Sequence, residues 1–180
     1  VLDSHIQTHL NPEKLRITHL GGGACSLARY CADVYPNSRN TVVELDAKLA
    51  EHVRDWFDIP KSPRVKIRVG DAGTVTRSFA PESRDVVIRD VFAVDKTPVE
   101  LTSVDFVRTV DHSLVPGGLY ILKCGDDRTL NAARAEAAAL LEVFEYVSIV
   151  ADSAMLKGRR RGNIILVGSH VPLPQLGSAE

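Results

Sequence analysis

Net charge and cysteine are both scarce in this sequence of 180 residues. Its 22 lysine and arginine residues nearly balance 23 aspartate and glutamate residues, which leaves a formal net charge of −1. That balance offers no electrostatic basis for nonspecific binding to nucleic acid or to a membrane surface. The three cysteines show no metal-ligand spacing, and their odd number is most simply interpreted as reduced thiols in a cytoplasmic protein. We therefore predict no metal site, no nucleic-acid partner and no membrane partner.

Long apolar segments are also missing. No run approaches the ~20 residues of a transmembrane helix, and no signal peptide is visible. The contents of 44% hydrophobic and 25% charged residues are ordinary for a globular domain. We predict one domain over residues 1–170 and a loose tail over 171–180. Because the chain starts with Val1 and enters structure almost at once, we expect it to be a piece of a longer protein.

Strand patterns alternate with helix patterns along the chain. Predicted strands lie at 15–20, 41–45, 65–69, 85–89, 119–123, 146–150 and 164–167. Predicted helices lie at 24–35, after Asp46 up to Pro60, briefly after Asp71, from Thr102 to a break at "VPGG", and at 131–144. The last two strands leave no room for a helix between them, so we expect an antiparallel hairpin. The fold class is therefore α/β, with a doubly wound, mostly parallel sheet of seven strands.

Three consecutive glycines follow the first predicted strand, in the sequence "THLGGGACSLARY". Glycine is costly to order, so Gly21, Gly22 and Gly23 indicate a turn where a ligand approaches bare backbone. No Lys-Ser or Lys-Thr pair follows them, which excludes a phosphate-binding P-loop. The dinucleotide pattern G-x-G-x-x-G also fails, because its third glycine would fall at Ser26. An ordinary tight turn is the alternative interpretation.

Acidic residues close the next three predicted strands. In an open parallel sheet, ligands bind beyond the carboxyl ends of the strands where the strand order reverses. Glu44 ends the second strand, where a carboxylate holds ribose hydroxyls, and Asp71 ends the third with Ala72 beside it, in position for an adenine amino group. Asp90 ends the fourth strand. Together with Gly21, these residues predict a nucleotide-binding site.

The motifs together resemble those of the spermidine synthase family. "NPEKLRITHLGGG", "VVELD", "VGDAG", "RDVVIRD", "PGGLYILK" and "RGNIILVGS" occur in the family's order and approximate spacing, from about Asn11 to Ser169. The resemblance implies the fold of class I S-adenosylmethionine-dependent enzymes. It also implies aminopropyl transfer from decarboxylated S-adenosylmethionine to a polyamine. Members of the family also carry an amino-terminal β-domain that helps to form the substrate pocket, and we expect this chain to lack it.

The resemblance assigns acidic residues to the acceptor amine, and this sequence departs from the family there. Asp90 matches the first aspartate of the family's Asp-x-x-Asp motif, but Ala93 stands at the second, so Asp95 is the nearby substitute. Ala24 stands where the family's glycine motif has an aspartate that contacts the donor's terminal amine. S-adenosylmethionine itself carries a carboxylate that helix-start amides can hold, so Ala24 favours methyl transfer. A methyltransferase and a catalytically degenerate nucleotide-binding domain therefore stay open as alternatives.

A basic loop and two neighbours of the glycines also bear on the site. The loop "LKGRRRGN" brings positive charge to a region that lies near the polyamine in the family, although a solvated turn is the simpler interpretation; it contains Lys157, Arg159, Arg160 and Arg161. His19 is either a ligand contact or a hydrogen-bonded strand residue. Cys25 is either a thiolate at a helix start or a small buried filler. The oligomeric state is open, with a homodimer as one alternative.

Overall fold

A single sheet organises the chain in the computed structural model, which describes residues 1–92 and 97–174. The strands are β1 (Arg16–Leu20), β2 (Arg39–Glu44), β3 (Val65–Val69), β4 (Arg84–Arg89), β5 (Leu114–Asp126), β6 (Tyr146–Val150) and β7 (Gly162–Ser169). The helices are α1 (Leu2–His9), α2 (Ser26–Val34), α3 (Ala47–Trp56), α4 (Ala72–Arg77), α5 (Val104–Ser113), α6 (Asn131–Leu141) and α7 (Ser153–Leu156). Two short 3₁₀ helices occupy Pro12–Lys14 and Val99–Thr102.

The strand order is β3-β2-β1-β4-β5-β7-β6. Strands β1 to β5 pair in parallel, whereas β7 runs antiparallel to both β5 and β6. The predicted doubly wound, mostly parallel sheet with a carboxy-terminal antiparallel hairpin is therefore confirmed. The order reverses at β1, which lies between β2 and β4, so the carboxyl ends of these three strands meet at one edge.

Helices cover both faces of the sheet. On one face α4, α5 and α6 bury apolar side chains such as Val75, Val110 and Leu140 against the strands. On the other face α1, α2 and α3 contribute residues such as Ile6 and Val53. Burial of apolar surface at about 25 cal/mol per Å² is the main force that holds these layers together. In the described ranges, every helix is too short or too polar to cross a bilayer.

Side-chain hydrogen bonds cap the first turns of α3 and α5, and one of the two caps differs from the prediction. Asp46 caps α3 as predicted, since its Oδ1 accepts from the N–H groups of Lys48 and Leu49 at 2.9 and 3.1 Å. The predicted cap of α5 at Thr102 is wrong. Ser103 Oγ accepts from the Phe106 N–H at 3.2 Å instead, because Thr102 is the last residue of the preceding 3₁₀ helix and Ser103 is the extended residue before α5.

Strand β5 begins earlier than predicted. The "VPGG" segment does follow the end of α5, but it lies inside β5 and does not form a separate break. The pairing with β4 jumps from Arg84↔Leu114 to Val86↔Leu119, which marks an irregularity that accommodates the extra residues. Gly117 has a φ of +79°, a backbone conformation that favours glycine at this irregularity.

Two predictions about helices also need correction. The single-turn helix α7 lies between β6 and β7, where we expected no helix, and Asp152 caps it through Ala154 N–H. The predicted buried stripe of α3 is only partly buried. Val53 is 1% exposed, but Trp56 is 63% exposed, because its ring stacks on His52 on the solvent side of the helix.

Candidate functional site

A cavity of about 550 Å³ opens at the carboxyl edge where the strand order reverses. The loops after β1, β2, β3 and β4 form its polar side, and their predicted site residues Gly21, Gly23, Glu44, Asp71, Ala72 and Asp90 all line it. Gly22 lines an adjoining cavity of about 300 Å³ on the opposite side of the glycine loop. Asp95 and Ala93 lie outside the described residues. The fold therefore places residues from four separate strand ends around one space.

The three glycines of the loop after β1 differ in why they lack a side chain. A Cβ on Gly21 would lie 2.2 Å from the carbonyl oxygen of Asp90, and one on Gly22 would lie 2.4 Å from Val42 Cγ1. Packing within the protein therefore excludes side chains at both positions. A Cβ on Gly23 would meet nothing within 4 Å, and its φ is +47°. Only Gly23 leaves open space beside the cavity, which is the feature expected where a ligand lies against bare backbone.

Glu44 holds the glycine loop in place. Its Oε2 accepts from the N–H groups of Gly22 and Gly23 at 3.2 and 3.1 Å, and its Oε1 accepts from the Asp46 N–H at 3.0 Å. A carboxylate offers about four acceptor positions, so about one is left for a ligand hydroxyl. Glu44 thus links the ends of β1 and β2 while it lines the cavity.

Asp71 caps α4. Its Oδ1 accepts from the Thr74 N–H at 2.7 Å. This hydrogen bond lowers the pKa of Asp71 and keeps the carboxylate ionised. The side chain is exposed at the cavity rim beside Ala72, so it can accept a further hydrogen bond from a ligand.

Asp90 makes an ion pair that the sequence analysis missed. Lys123 Nζ on β5 lies 3.0 Å from Asp90 Oδ1 and 3.2 Å from Oδ2. The same ammonium lies 5.0 Å from the centroid of the Phe92 ring. Asp90 is a lining residue of both the 550 Å³ cavity and the adjoining one.

Apolar residues form the other side of the larger cavity, and the sequence analysis named none of them. They are Val43, Leu45, Val91, Phe92, Pro98, Leu101 and Phe106. Leu45 is 73% exposed, although it directly follows the Glu44 strand end. In the sequence, the apolar Leu45 between the acidic residues Glu44 and Asp46 is a signal that could have pointed to this wall. A concave space with an apolar wall and a few polar groups is typical of a small-molecule site.

A buried ion pair lies beneath this site. Arg89, fully buried, donates to a Glu136 carboxylate oxygen on α6 and to the carbonyl oxygen of Leu101. It thereby ties β4 to α6 and to the 3₁₀ helix that borders the cavity. Burial raises the pKa of Glu136, whereas the Arg89 guanidinium opposes that rise.

The residues that flank the glycines have structural roles. His19 Nε2 donates to Asn40 Oδ1 at 3.0 Å, and burial lowers the pKa of His19 to about 4. Cys25 is buried, and burial raises the pKa of its thiol, so it is not a thiolate at neutral pH. These contacts agree with the structural interpretation of each residue, and both residues also line the cavity beside the glycine loop. Among the described residues, no group of three or more His, Cys, Asp or Glu side chains could hold a metal ion.

The basic loop is mostly solvated. Arg160 pairs with Asp152 at 3.3 Å, and both side chains are more than half exposed. Arg161 lines a third cavity of about 570 Å³ near the end of β5, together with Asp126 and Glu136. The loop therefore lies on the β5–β7 side of the sheet edge, where Arg161 reaches the third cavity.

No protein-family model matches the chain. Among curated proteins, the eEF1A lysine and N-terminal methyltransferase of Mus musculus is 32% identical over 65% of this chain. The polyamine aminopropyltransferase of Vibrio vulnificus is 25% identical over 61% of this chain. The chain spans only 18% and 37% of these two proteins.

Two solved structures extend the comparison to nearly the whole chain. A probable spermidine synthase from Corynebacterium glutamicum is 57% identical, with a TM-score of 0.94, and the match covers 99% of this chain and 64% of that one. Human methyltransferase-like protein 13, in complex with SAH, is 25% identical, with a TM-score of 0.78, over 98% of this chain and 83% of that one. These relatives are transferases. The chain thus resembles the spermidine synthase family over nearly its whole length, on the methyltransferase-like fold that its motifs predicted.

Proposed function

We propose that this chain binds an S-adenosylmethionine-type nucleotide and transfers an aminopropyl group from decarboxylated S-adenosylmethionine to an amine of the polyamine class. The observation that carries the proposal is the cavity at the strand-order reversal, which gathers Gly23, Glu44, Asp71 and Asp90. The likeness to a probable spermidine synthase and to a polyamine aminopropyltransferase supports the choice of reaction.

The residues of the cavity fit such a nucleotide. Open space beside Gly23 admits a ligand against backbone, and Glu44 retains about one acceptor position for a ribose hydroxyl. Asp71, beside Ala72 at the cavity rim, is proposed to accept a hydrogen bond from the adenine amino group. The apolar wall around Leu101 offers a surface on which the flat face of the base can pack. The donor would supply an electrophilic carbon next to a sulfonium, which is already a good leaving group.

Asp90 is the group that would act on the acceptor. The amine must be unprotonated and in line with the carbon that it attacks. The Asp90 carboxylate orients the amine and accepts the proton that the nitrogen loses when its new bond to carbon forms. Asp95 is proposed as its helper and lies outside the described residues. The proposal needs no metal ion.

Methyl transfer from S-adenosylmethionine is the second candidate. Ala24 contributes no carboxylate to the cavity beside the glycine loop, so the aspartate that contacts the donor's bare ammonium in the spermidine synthase family has no counterpart at this position. The two methyltransferase relatives agree with this alternative.

Calorimetric titration separates the candidates. We expect the chain to bind methylthioadenosine and to prefer decarboxylated S-adenosylmethionine over S-adenosylmethionine. Donor consumption is then followed with a panel of polyamines. Binding of S-adenosylmethionine with no transfer to any amine would overturn the aminopropyl proposal in favour of methyl transfer. Failure to bind any of the three nucleotides would overturn the site itself.

A further inference from the structure

Lys123 lies where a cationic acceptor would have to bind. It belongs to β5, and its ammonium contacts both carboxylate oxygens of Asp90 at 3.0 and 3.2 Å. The face of the Phe92 ring lies 5.0 Å away. A carboxylate on one side and an aromatic face on the other are the two groups by which proteins hold ammonium ions. Lys123 therefore occupies a cation subsite that this chain itself provides.

The subsite lies at the site of the proposed chemistry. Asp90 lines the proposed nucleotide cavity and the adjoining cavity, and its side chain is 46% exposed, so an acceptor amine has access to it. Phe92 lines the larger cavity as well. An ammonium that approaches Asp90 must either displace Lys123 or remain close to it, and like charges a few ångströms apart repel.

We propose that Lys123 determines acceptor specificity: it lowers the affinity for an amine in proportion to the whole positive charge of that amine, its remote ammonium groups included. The favoured acceptor is then one whose reacting nitrogen enters uncharged and whose other amino groups lie far from it. This inference rests on the proposed function for the identity of the acceptor site, but its test measures binding and does not need turnover.

The expected effect is moderate because the pair is partly solvated. The side chains of Lys123 and Asp90 are 32% and 46% exposed. Ion pairs of this kind contribute little to stability, so the competing lysine can be displaced. We expect its removal to tighten amine binding by about three- to tenfold.

The experiment compares Lys123→Met with the wild-type chain by calorimetry, with methylthioadenosine present. The probes are putrescine and butylamine, which share a four-carbon chain and differ by one ammonium. Lys66→Met is the matched control, since it removes the same charge from an exposed position on β3. We expect Lys123→Met to tighten putrescine binding, to tighten butylamine binding less, and to leave methylthioadenosine binding unchanged. The control should change none of these affinities.

The outcomes separate this inference from the proposed function. An equal gain for the two amines, or no gain, overturns the role of Lys123. Tighter putrescine binding in the variant supports that role even when neither protein transfers an aminopropyl group, a result that would overturn the proposed reaction alone.

Discussion

Glu44 illustrates how one carboxylate serves both the protein and the proposed ligand. It accepts three backbone hydrogen bonds, from Gly22, Gly23 and Asp46, and it lines the cavity. Removing it leaves these donors unpaired and removes the acceptor for ribose. A loss of nucleotide affinity therefore has two sources, which a single substitution does not separate.

Glu44→Ala should weaken methylthioadenosine binding by about 1.5–3 kcal/mol, the range for hydrogen bonds to a charged group. Glu44→Gln keeps one acceptor oxygen and should lose less. Calorimetry gives the affinities, and thermal unfolding of the nucleotide-free proteins shows how much of the loss comes from a loosened loop. Wild-type affinity in Glu44→Ala would mean that the ribose does not contact this residue.

Asp90 is the second residue whose proposed role can be tested alone. Asp90→Asn keeps the shape of the side chain but removes the proton acceptor and the partner charge of Lys123. Turnover should fall by ~10²–10⁴-fold, the usual value of general acid–base assistance. Nucleotide affinity should change little, because the lost interaction acts in the transition state. A steady-state assay of donor consumption checks the rate, and an unchanged rate would transfer the role to another group.

At the scale of the element, the glycine loop combines two requirements. Gly21 and Gly22 are dictated by neighbouring strands, since a Cβ on either would overlap Asp90 or Val42. Gly23 has a positive φ but open surroundings. The loop between β1 and α2 is therefore part of the core on one side and part of the cavity on the other.

Gly21→Ala and Gly23→Ala should separate these requirements. The first should lower the free energy of unfolding by roughly 3 kcal/mol, because its Cβ cannot fit beside the Asp90 carbonyl. The second should cost only about 1 kcal/mol from left-handed backbone strain, yet it should weaken nucleotide binding. Chemical denaturation and calorimetry measure the two effects. Equal destabilisation by the two variants would contradict this division of roles.

Helix α4 depends on its cap. The hydrogen bond from Thr74 N–H lowers the pKa of Asp71, so the cap is fully charged above the ordinary aspartate pKa and loses strength as the pH falls through the lowered value. Asp71→Ala should cost about 1 kcal/mol of stability, and Asp71→Asn should cost less, because asparagine also caps helices well.

Nucleotide affinity distinguishes the cap from the ligand role. If Asp71 also accepts from adenine, calorimetry should show weaker methylthioadenosine binding in Asp71→Ala than in Asp71→Asn. A loss of stability with unchanged affinity in both variants would leave Asp71 as a helix cap alone.

For the whole molecule, the buried interior sets the response to acid. His19 joins β1 to β2 through Asn40, whose amide nitrogen donates to Ser38 Oγ and Arg64 O, so its oxygen accepts from His19. Burial lowers the pKa of His19 from 6.5 to about 4. Between about pH 4 and pH 6.5, His19 binds a proton in the unfolded chain but not in the folded chain.

Stability should therefore be lost as the pH falls from about 6.5 towards 4, and this histidine should have no effect at higher pH. The side chain of His19→Gln keeps a donor for Asn40 and does not titrate. The variant should therefore lose roughly 3 kcal/mol less free energy of unfolding than the wild type when the pH falls from about 6.5 to 4. Burial also lowers the pKa of His5, so some slope should remain. Denaturation curves at several pH values measure the difference. An unchanged slope in the variant would show that His19 does not control acid stability.

The sequence by itself determined the parts of this protein that depend on local pattern. Strand and helix periodicity predicted the seven strands and their antiparallel end, and Asp46 marked its own helix start. The strand-end residues Gly21, Glu44, Asp71 and Asp90 were found because parallel strands bring their carboxyl ends to one edge, where all four line the same cavity.

Tertiary structure alone decided the contacts between distant segments. Lys123 meets Asp90 across 33 positions of sequence, and no spacing rule links a residue on β5 to the end of β4. The cap of α5 is Ser103 and not Thr102, because Thr102 belongs to a preceding 3₁₀ helix that the sequence did not predict. The glycines looked alike in sequence, but only packing against Asp90 and Val42 shows which serve the fold and which leaves room for a ligand. These contacts depend on which atoms lie within a few ångströms of each other. Residues far apart in the sequence come that close only when the sheet has formed, so local sequence patterns do not reveal them.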